Sequence, residues 1–174
     1  MTGANPSQPI TILEEEHKVI LSNLGRLEEV AKRLQSSARP GTVLDELRTI
    51  SQSLLDAESH HKREEDALFP RLEERGIRGP PSMMRLEHNE LRKRKKALKD
   101  LVEGASSLDE ADFSRQVIGL ADFIVPTLRN HIFKEDDVLY PMALQTIPND
   151  EWSRIRSEFD KIGYCSFTPK HVLG

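Results

Sequence analysis

The chain has a single cysteine, a single tryptophan and only 5% aromatic residues. One cysteine excludes an intramolecular disulfide framework and suits a reducing compartment. Few aromatics beside abundant Leu, Glu, Arg and Lys favour long helices over a sheet, because straight-chain residues lose little rotamer freedom in a helix. Long apolar runs are missing too. None approaches membrane-spanning length, and Met1 to Pro9 is polar, without an apolar signal segment. An excess of positive charge is also absent: the net charge is -4, and the 31% of charged residues mix both signs. Nucleic acid is therefore not an expected partner, and neither is a membrane. The one basic run, Arg92 to Lys96, reads as a solvated helix face. These absences lead to the expectation of a soluble, cytoplasmic protein. A length of 174 residues suits one domain with a real core. That domain is expected to span 1–174, with a bundle over 9–145 and a C-terminal cap over 148–174.

What is present is a repeat. An offset of 71 residues carries His17, His60, Glu64 and Pro70 onto His88, His131, Glu135 and Pro141. Around the last pair, EEDALFP (Glu64 to Pro70) stands beside EDDVLYP (Glu135 to Pro141). The halves share little else, so the identity sits on residues that can bind metal. His61 and His171 have no partner in the repeat.

Punctuation predicts four long helices and a tail. The first spans about Pro9 to Gln35, with Leu13, His17, Ile20, Leu24, Leu27, Ala31 and Leu34 on one face. A loop follows over Ser36 to Gly41, and Thr42 is expected to cap a second helix that stops at Gly76. Gly79, Pro80 and Pro81 should keep the connector out of helix, with Ser82 capping a third helix from about Met83 to Glu103. Ser107 to Glu110 reads as a capping box for the fourth. That helix carries the cleanest stripe: Val117, Ala121, Ile124, Leu128, His131, Glu135, Val138 and Met142. Pro126 is expected to kink it, and Pro70 and Pro141 to distort the last turns of helices two and four. A short helix over Asn149 to Ile162 is stopped by Gly163, and an irregular tail follows. Short connectors between long helices favour an antiparallel up-down-up-down four-helix bundle, an all-α fold with a short C-terminal helix.

Such a bundle places the polar stripe residues inside. Each half then supplies one histidine on its first helix and a His-x-x-x-Glu pair on its second, and positions i and i+4 share one face. The natural arrangement has His17 and His60 on one metal, His88 and His131 on a second, and Glu64 and Glu135 bridging both. Imidazole nitrogen with carboxylate oxygen suits iron, manganese or zinc. Without metal, two facing carboxylates would have to take up a proton. His61 and Glu65 have the same spacing and fit the stripe of Leu47, Leu54, Leu68 and Leu72, so helix two alone leaves two choices open. The repeat favours His60 and Glu64, with His61 at the bundle edge or supporting a ligand. Met83, Met84 and Met142 are expected to fill core space. The region from Trp152 to Phe167 is expected to cap one end of the bundle, the alternative being a surface that reports metal state to another protein.

The motif of His17, His60-His-Lys-Arg-Glu64, His88 and His131-Ile-Phe-Lys-Glu135 resembles the hemerythrin-like, or HHE cation-binding, family from about Ile10 to Gln145. The resemblance implies a four-helix bundle around a non-haem di-iron centre with two bridging carboxylates. It also implies roles in oxygen carriage, oxygen or redox sensing, iron handling, or nitric oxide or peroxide chemistry. Four histidines and two glutamates are closest to the iron-sulfur repair branch, associated with nitrosative stress. Oxygen-carrying hemerythrins add a histidine where this chain has Arg92, and place an Asp five residues after a histidine where Glu135 stands at four. The cysteine-rich N-terminal segment of repair proteins is also missing. Two iron ions and a small diatomic ligand, oxygen or nitric oxide, are the expected cofactors and partner. The alternative is a metal- or oxygen-sensing or iron-storage module without catalysis.

Overall fold

A computed structural model describes residues 8–174, all α-helical or connecting, with no strand among the described residues. The first rod is α1 (Gln8–Gln35). The second is built from α2 (Leu44–Asp56), α3 (Glu58–Arg63), a π-turn (Glu64–Leu68) and α4 (Phe69–Glu73). The third is α5 (Gly79–Glu103). The fourth joins α6 (Glu110–Lys134), a second π-turn (Glu135–Leu139) and α7 (Tyr140–Thr146). A final helix, α8 (Trp152–Ile162), follows and ends at Gly163, whose φ of 95° lies in the left-handed region. No described helix is long and apolar enough to cross a membrane.

Two apolar layers reveal the directions of the rods. One contains the end of α1 (Ile20 to Leu34), the start of the second rod (Val43 to Ala57), the end of α5 (Leu91 to Val102) and most of α6. The other contains the start of α1 (Ile10, Leu13), Leu68 and Leu72, Met84 at the start of α5, and Leu139 and Ala143. Neighbouring rods thus run antiparallel, as the short connectors predict. Each fully buried Leu contributes roughly 1.5–3 kcal/mol, and the helix stripes supply many in both layers. Between the layers lies a sheet of polar side chains. Its members are His17, His60, His61, Glu64, His88, His131 and Glu135, each no more than 2% exposed.

Helix boundaries depart from expectation at several points. Gly79, Pro80 and Pro81 open α5 instead of preceding it; Pro is tolerated there because first-turn N–H groups have no helical partner. Ser82 is consequently inside the helix, its N–H bonded to Arg78 O at 3.1 Å. Thr42 sits in a 3-10 turn (Pro40–Thr42), donating its hydroxyl to Arg39 O at 2.7 Å, and does not cap α2. The cap of α6 is Asp109, whose Oδ1 accepts from Ala111 and Asp112 N–H at 2.9 and 3.2 Å. Ser107 instead donates to Gly104 O. α6 runs unbroken through Pro126, which faces solvent.

The fourth stripe holds as far as Glu135 and then slips. Val138 is 48% exposed and Met142 only partly buried, while Leu139 and Ala143 are buried. The cause is the π-turn. Pro141 has no N–H, and its ring would strike a carbonyl in a regular helix. An i→i+5 bond from Tyr140 N–H to Glu135 O widens the turn and adds one residue to it. The second rod does the same before Pro70, with Phe69 N–H bonded to Glu64 O. Both prolines therefore act one turn earlier than their own positions, on the turn that begins with a candidate ligand. Among the methionines, Met84 is core and Met83 is 51% exposed.

Candidate metal centre

All six residues singled out by the repeat meet in the polar layer. His17 Nε2 lies 3.1 Å from His60 Nε2, and His88 Nε2 lies 2.9 Å from His131 Nε2. Two donors about 2.1 Å from one ion at a right angle lie about 3.0 Å apart, so each pair is spaced as neighbours in one coordination shell. Glu135 presents its Oε2 to His17 Nε2 at 3.2 Å and its Oε1 to His131 Nε2 at 2.8 Å. One carboxylate thus faces both pairs. Glu64 Oε2 is 3.5 Å from both His60 Nε2 and His88 Nε2.

The ring orientations are set by a second set of carboxylates. Nδ1 of His17, His60, His88 and His131 lies 2.7 Å from Asp136, Glu16, Glu65 and Glu87 respectively. An ionised carboxylate only accepts, so Nδ1 carries the proton and Nε2 faces the centre. This is the arrangement by which metal-binding histidines are held. The same offset of 71 relates Glu16 to Glu87 and Glu65 to Asp136, and it also relates Arg63 to Lys134. Arg63 bonds Glu16 at 2.7 Å and Lys134 bonds Glu87, so each half builds a cation–carboxylate–imidazole chain. Arg92 extends the Glu65–His88 pair in the same way at 2.9 Å. Sequence reasoning missed this set, although the register of the repeat contained it. The C-terminal segment joins one chain: Thr168 donates to Glu16, and Phe159 and Tyr164 place their rings 5.3 and 4.9 Å from the Arg63 guanidinium carbon. Trp152, Ile155 and Phe159 are buried in the second apolar layer.

His61 departs from its expected place. It is 2% exposed, stacked on the His88 ring at 4.1 Å, and one of its nitrogens falls within 4.8 Å of donors on His88 and His131. Its Nδ1 has no hydrogen-bond partner and lies 3.8 Å from Glu58 Oε2. It belongs to the interior of the site, not to the bundle edge. Helix-two periodicity and the repeat are both satisfied: His60 and His61 are successive buried residues of α3. Tyr140 is the other residue missed. Fully buried, it stands where the first half has Phe69, donates its hydroxyl to Glu64 Oε1 at 2.7 Å, and lies 3.5 Å from His17 Nε2.

The charge balance calls for cations. Burial opposes protonation of His17, yet Asp136 and Glu135 outweigh it and raise its pKa to about 10. Burial likewise opposes His131, which Glu135 and Glu87 lift to about 9. Burial pushes Glu64 up to about 8, aided by the negative charge of Glu135, which itself stays well below the usual carboxylate range despite burial because of His131 and His17. Burial chiefly lowers His60 to about 4. Without metal, protons gather where cations would sit. Glu64 Oε2, Glu135 Oε1 and His61 Nδ1 are buried without hydrogen-bond partners, and the two carboxylate oxygens point at the space between the imidazole pairs. The donor set therefore fits metal.

A family model described as the hemerythrin HHE cation binding domain matches residues 8–143. The chain belongs to this family. Membership in the HHE family accords with the all-helical bundle and with the His/Glu groups able to hold a metal cation. No curated protein sequence matches the chain.

Proposed function

We propose that this HHE protein holds two iron ions in the polar layer and uses them to react with oxygen, nitric oxide or peroxide. The observation that carries this reading is the convergence of Nε2 atoms and unpartnered carboxylate oxygens on two adjacent positions, with every flanking Nδ1 tied to a carboxylate. His17 and His60 would hold one ion, and His88 and His131 the other. His61 would add a third imidazole beside His88 and His131, and Glu64 and Glu135 would be shared between the two positions. Manganese or zinc suits the same donors, so iron rests on the family resemblance. A bound iron pair would supply electrons to the small molecule.

Adding His61 makes the donor set unequal. The His17/His60 side offers two imidazoles and the shared carboxylates, so a metal there would have fewer protein ligands and more room for an incoming molecule. Tyr140 adjoins it through His17 and Glu64, and its hydroxyl holds a proton against Glu64 Oε1. The apolar layers above and below exclude bulk water from the polar layer. Stopped-flow mixing of ferrous protein with oxygen or nitric oxide, followed by argon sparging, tests the reading. Conversion to an oxidised spectrum that sparging does not reverse is expected. Full recovery of the ferrous spectrum over repeated cycles identifies a carrier, and no reaction with either gas identifies a storage or structural role.

A sensing role is favoured by one contact, Thr168 on Glu16, which ties the C-terminal segment to the residue orienting His60. Metal-dependent hydrogen exchange confined to residues 163–174 would support it. Exchange there that is unchanged by metal would remove it.

A further inference from the structure

The offset of 71 residues relates the outer surfaces of the two halves as well as their interiors. α8 packs against α1, α3 and the first π-turn, on the face shared by the first two rods. Ile12, Glu16, Arg63 and Ala67 of those rods are each 0% exposed. The repeat carries them onto Met83, Glu87, Lys134 and Val138 of the third and fourth rods. There Met83 and Val138 are 51% and 48% exposed, and the Glu87 and Lys134 side chains also reach solvent. Among the described residues α8 has no counterpart for this second face.

Single exposed apolar side chains are ordinary, but these two belong together. Met83 lies one turn before Glu87 on α5, and Val138 one turn after Lys134 on the fourth rod. The ion pair between Glu87 and Lys134 holds these antiparallel rods in register, so Met83 and Val138 fall on the same side of it. Met142, partly buried, continues the strip at the position where the first half has Arg71. Arg71 ties α8 down by donating to Glu158 at 2.7 Å. The open face therefore replaces the ionic anchor of a helix like α8 with a flexible apolar side chain. Its occupant must offer an apolar strip bordered by one cation and one carboxylate. A second copy of the same strip does so. Turned by a two-fold axis, it sets its Lys134 towards Glu87 and its Glu87 towards Lys134 while the apolar residues meet.

We propose that two copies of this chain pair through the face shared by α5 and the fourth rod, with Met83, Val138 and Met142 at the centre and the Glu87–Lys134 pairs at a solvated edge. The contact depends neither on the metal bound nor on the reaction proposed at the centre. Sedimentation velocity of the metal-loaded full chain tests it. A mass rising toward twice that of the chain is expected as concentration is raised to about 100 µM, above the dissociation constants of ordinary interfaces. Met83→Lys combined with Val138→Lys brings like charges together at the centre, and should weaken pairing at least about tenfold with metal content unchanged. Leu21→Lys makes the same exchange at an exposed apolar residue of α1, outside the contact, and should leave pairing intact. A monomer throughout the range, undiminished pairing in the double variant, or an equal loss from Leu21→Lys would each overturn the proposal. Should the double variant fail to fold, Met83→Lys alone, at an exposed position of a regular helix, carries the same comparison.

Discussion

Replacing Glu16 by Gln and, separately, Glu87 by Gln perturbs two residues with the same role at corresponding points of the repeat. Each accepts from the Nδ1 of a candidate ligand histidine at 2.7 Å, and each is paired with a cation. Their surroundings differ. The side chains of Glu16 and Arg63 are both 0% exposed, whereas those of Glu87 and Lys134 are 22% and 30% exposed. Removing one partner of a fully buried ion pair leaves an uncompensated charge and costs about 3–5 kcal/mol. For a solvent-accessible pair the loss is at most about 1 kcal/mol. In a chain of this size about 2–4 °C of Tm accompanies each kcal/mol. Glu16→Gln should therefore lower the melting temperature of metal-free protein by roughly 6–20 °C, and Glu87→Gln by no more than about 4 °C. Metal affinity should respond differently from stability. Both substitutions weaken the carboxylate that orients a ligand imidazole, an effect of about 10–100-fold. Both should thus reduce affinity to a comparable degree, each at its own ion. Calorimetric melting of the apo variants and competitive metal titration with a chromophoric chelator read the two quantities independently. Equal losses of stability would refute the burial argument. A large affinity loss confined to Glu16→Gln would show that Glu87 does not support a ligand.

Elemental analysis after full reconstitution should find two ions per chain, with His60→Ala and His61→Ala each weakening a different one; His61→Ala with unchanged affinity for both would remove His61 from the donor set. Tyr140→Phe deletes the bond to Glu64 Oε1 at 2.7 Å and leaves that buried oxygen without a donor, at a cost of about 1–3 kcal/mol. Melting should drop more in the apo than in the loaded protein, where metal engages Glu64, and equal drops would contradict the bridging role. The raised groups also predict the pH dependence of the apo protein. The stability they contribute is intact below their unfolded values, near 4.5 for Glu64 and 6.5 for the histidines. It is lost as pH rises through about 8 for Glu64, 9 for His131 and 10 for His17. Urea denaturation at increasing pH between 6.5 and 9 should show metal-free stability falling and loaded stability nearly constant, since metal takes the place of those protons; parallel behaviour of the two forms would argue against a metal centre in the polar layer.

Local pattern determines the four rods and the inward direction of His17, His60, Glu64, His88, His131 and Glu135, because a 3.6-residue period assigns faces without knowledge of any neighbour. The repeat selects the same six from chain register alone. It also contained Glu16 with Glu87 and Glu65 with Asp136, yet their meaning was not legible along a single helix. Each reaches a histidine on a different rod, so only packing reveals the pair. Tertiary structure decided three further matters. The π-turns before Pro70 and Pro141 shift the stripe by one residue, exposing Val138 and burying Leu139, since proline's missing N–H and bulky ring are relieved by widening the turn. His61 turns inward beside His60 and stacks on His88, a ring on another rod that pattern along helix two does not reveal. Lys95, indistinguishable by composition from its solvated neighbours, is buried because its position on α5 falls on the core stripe, where helical phase outweighs the preference of an ammonium for water.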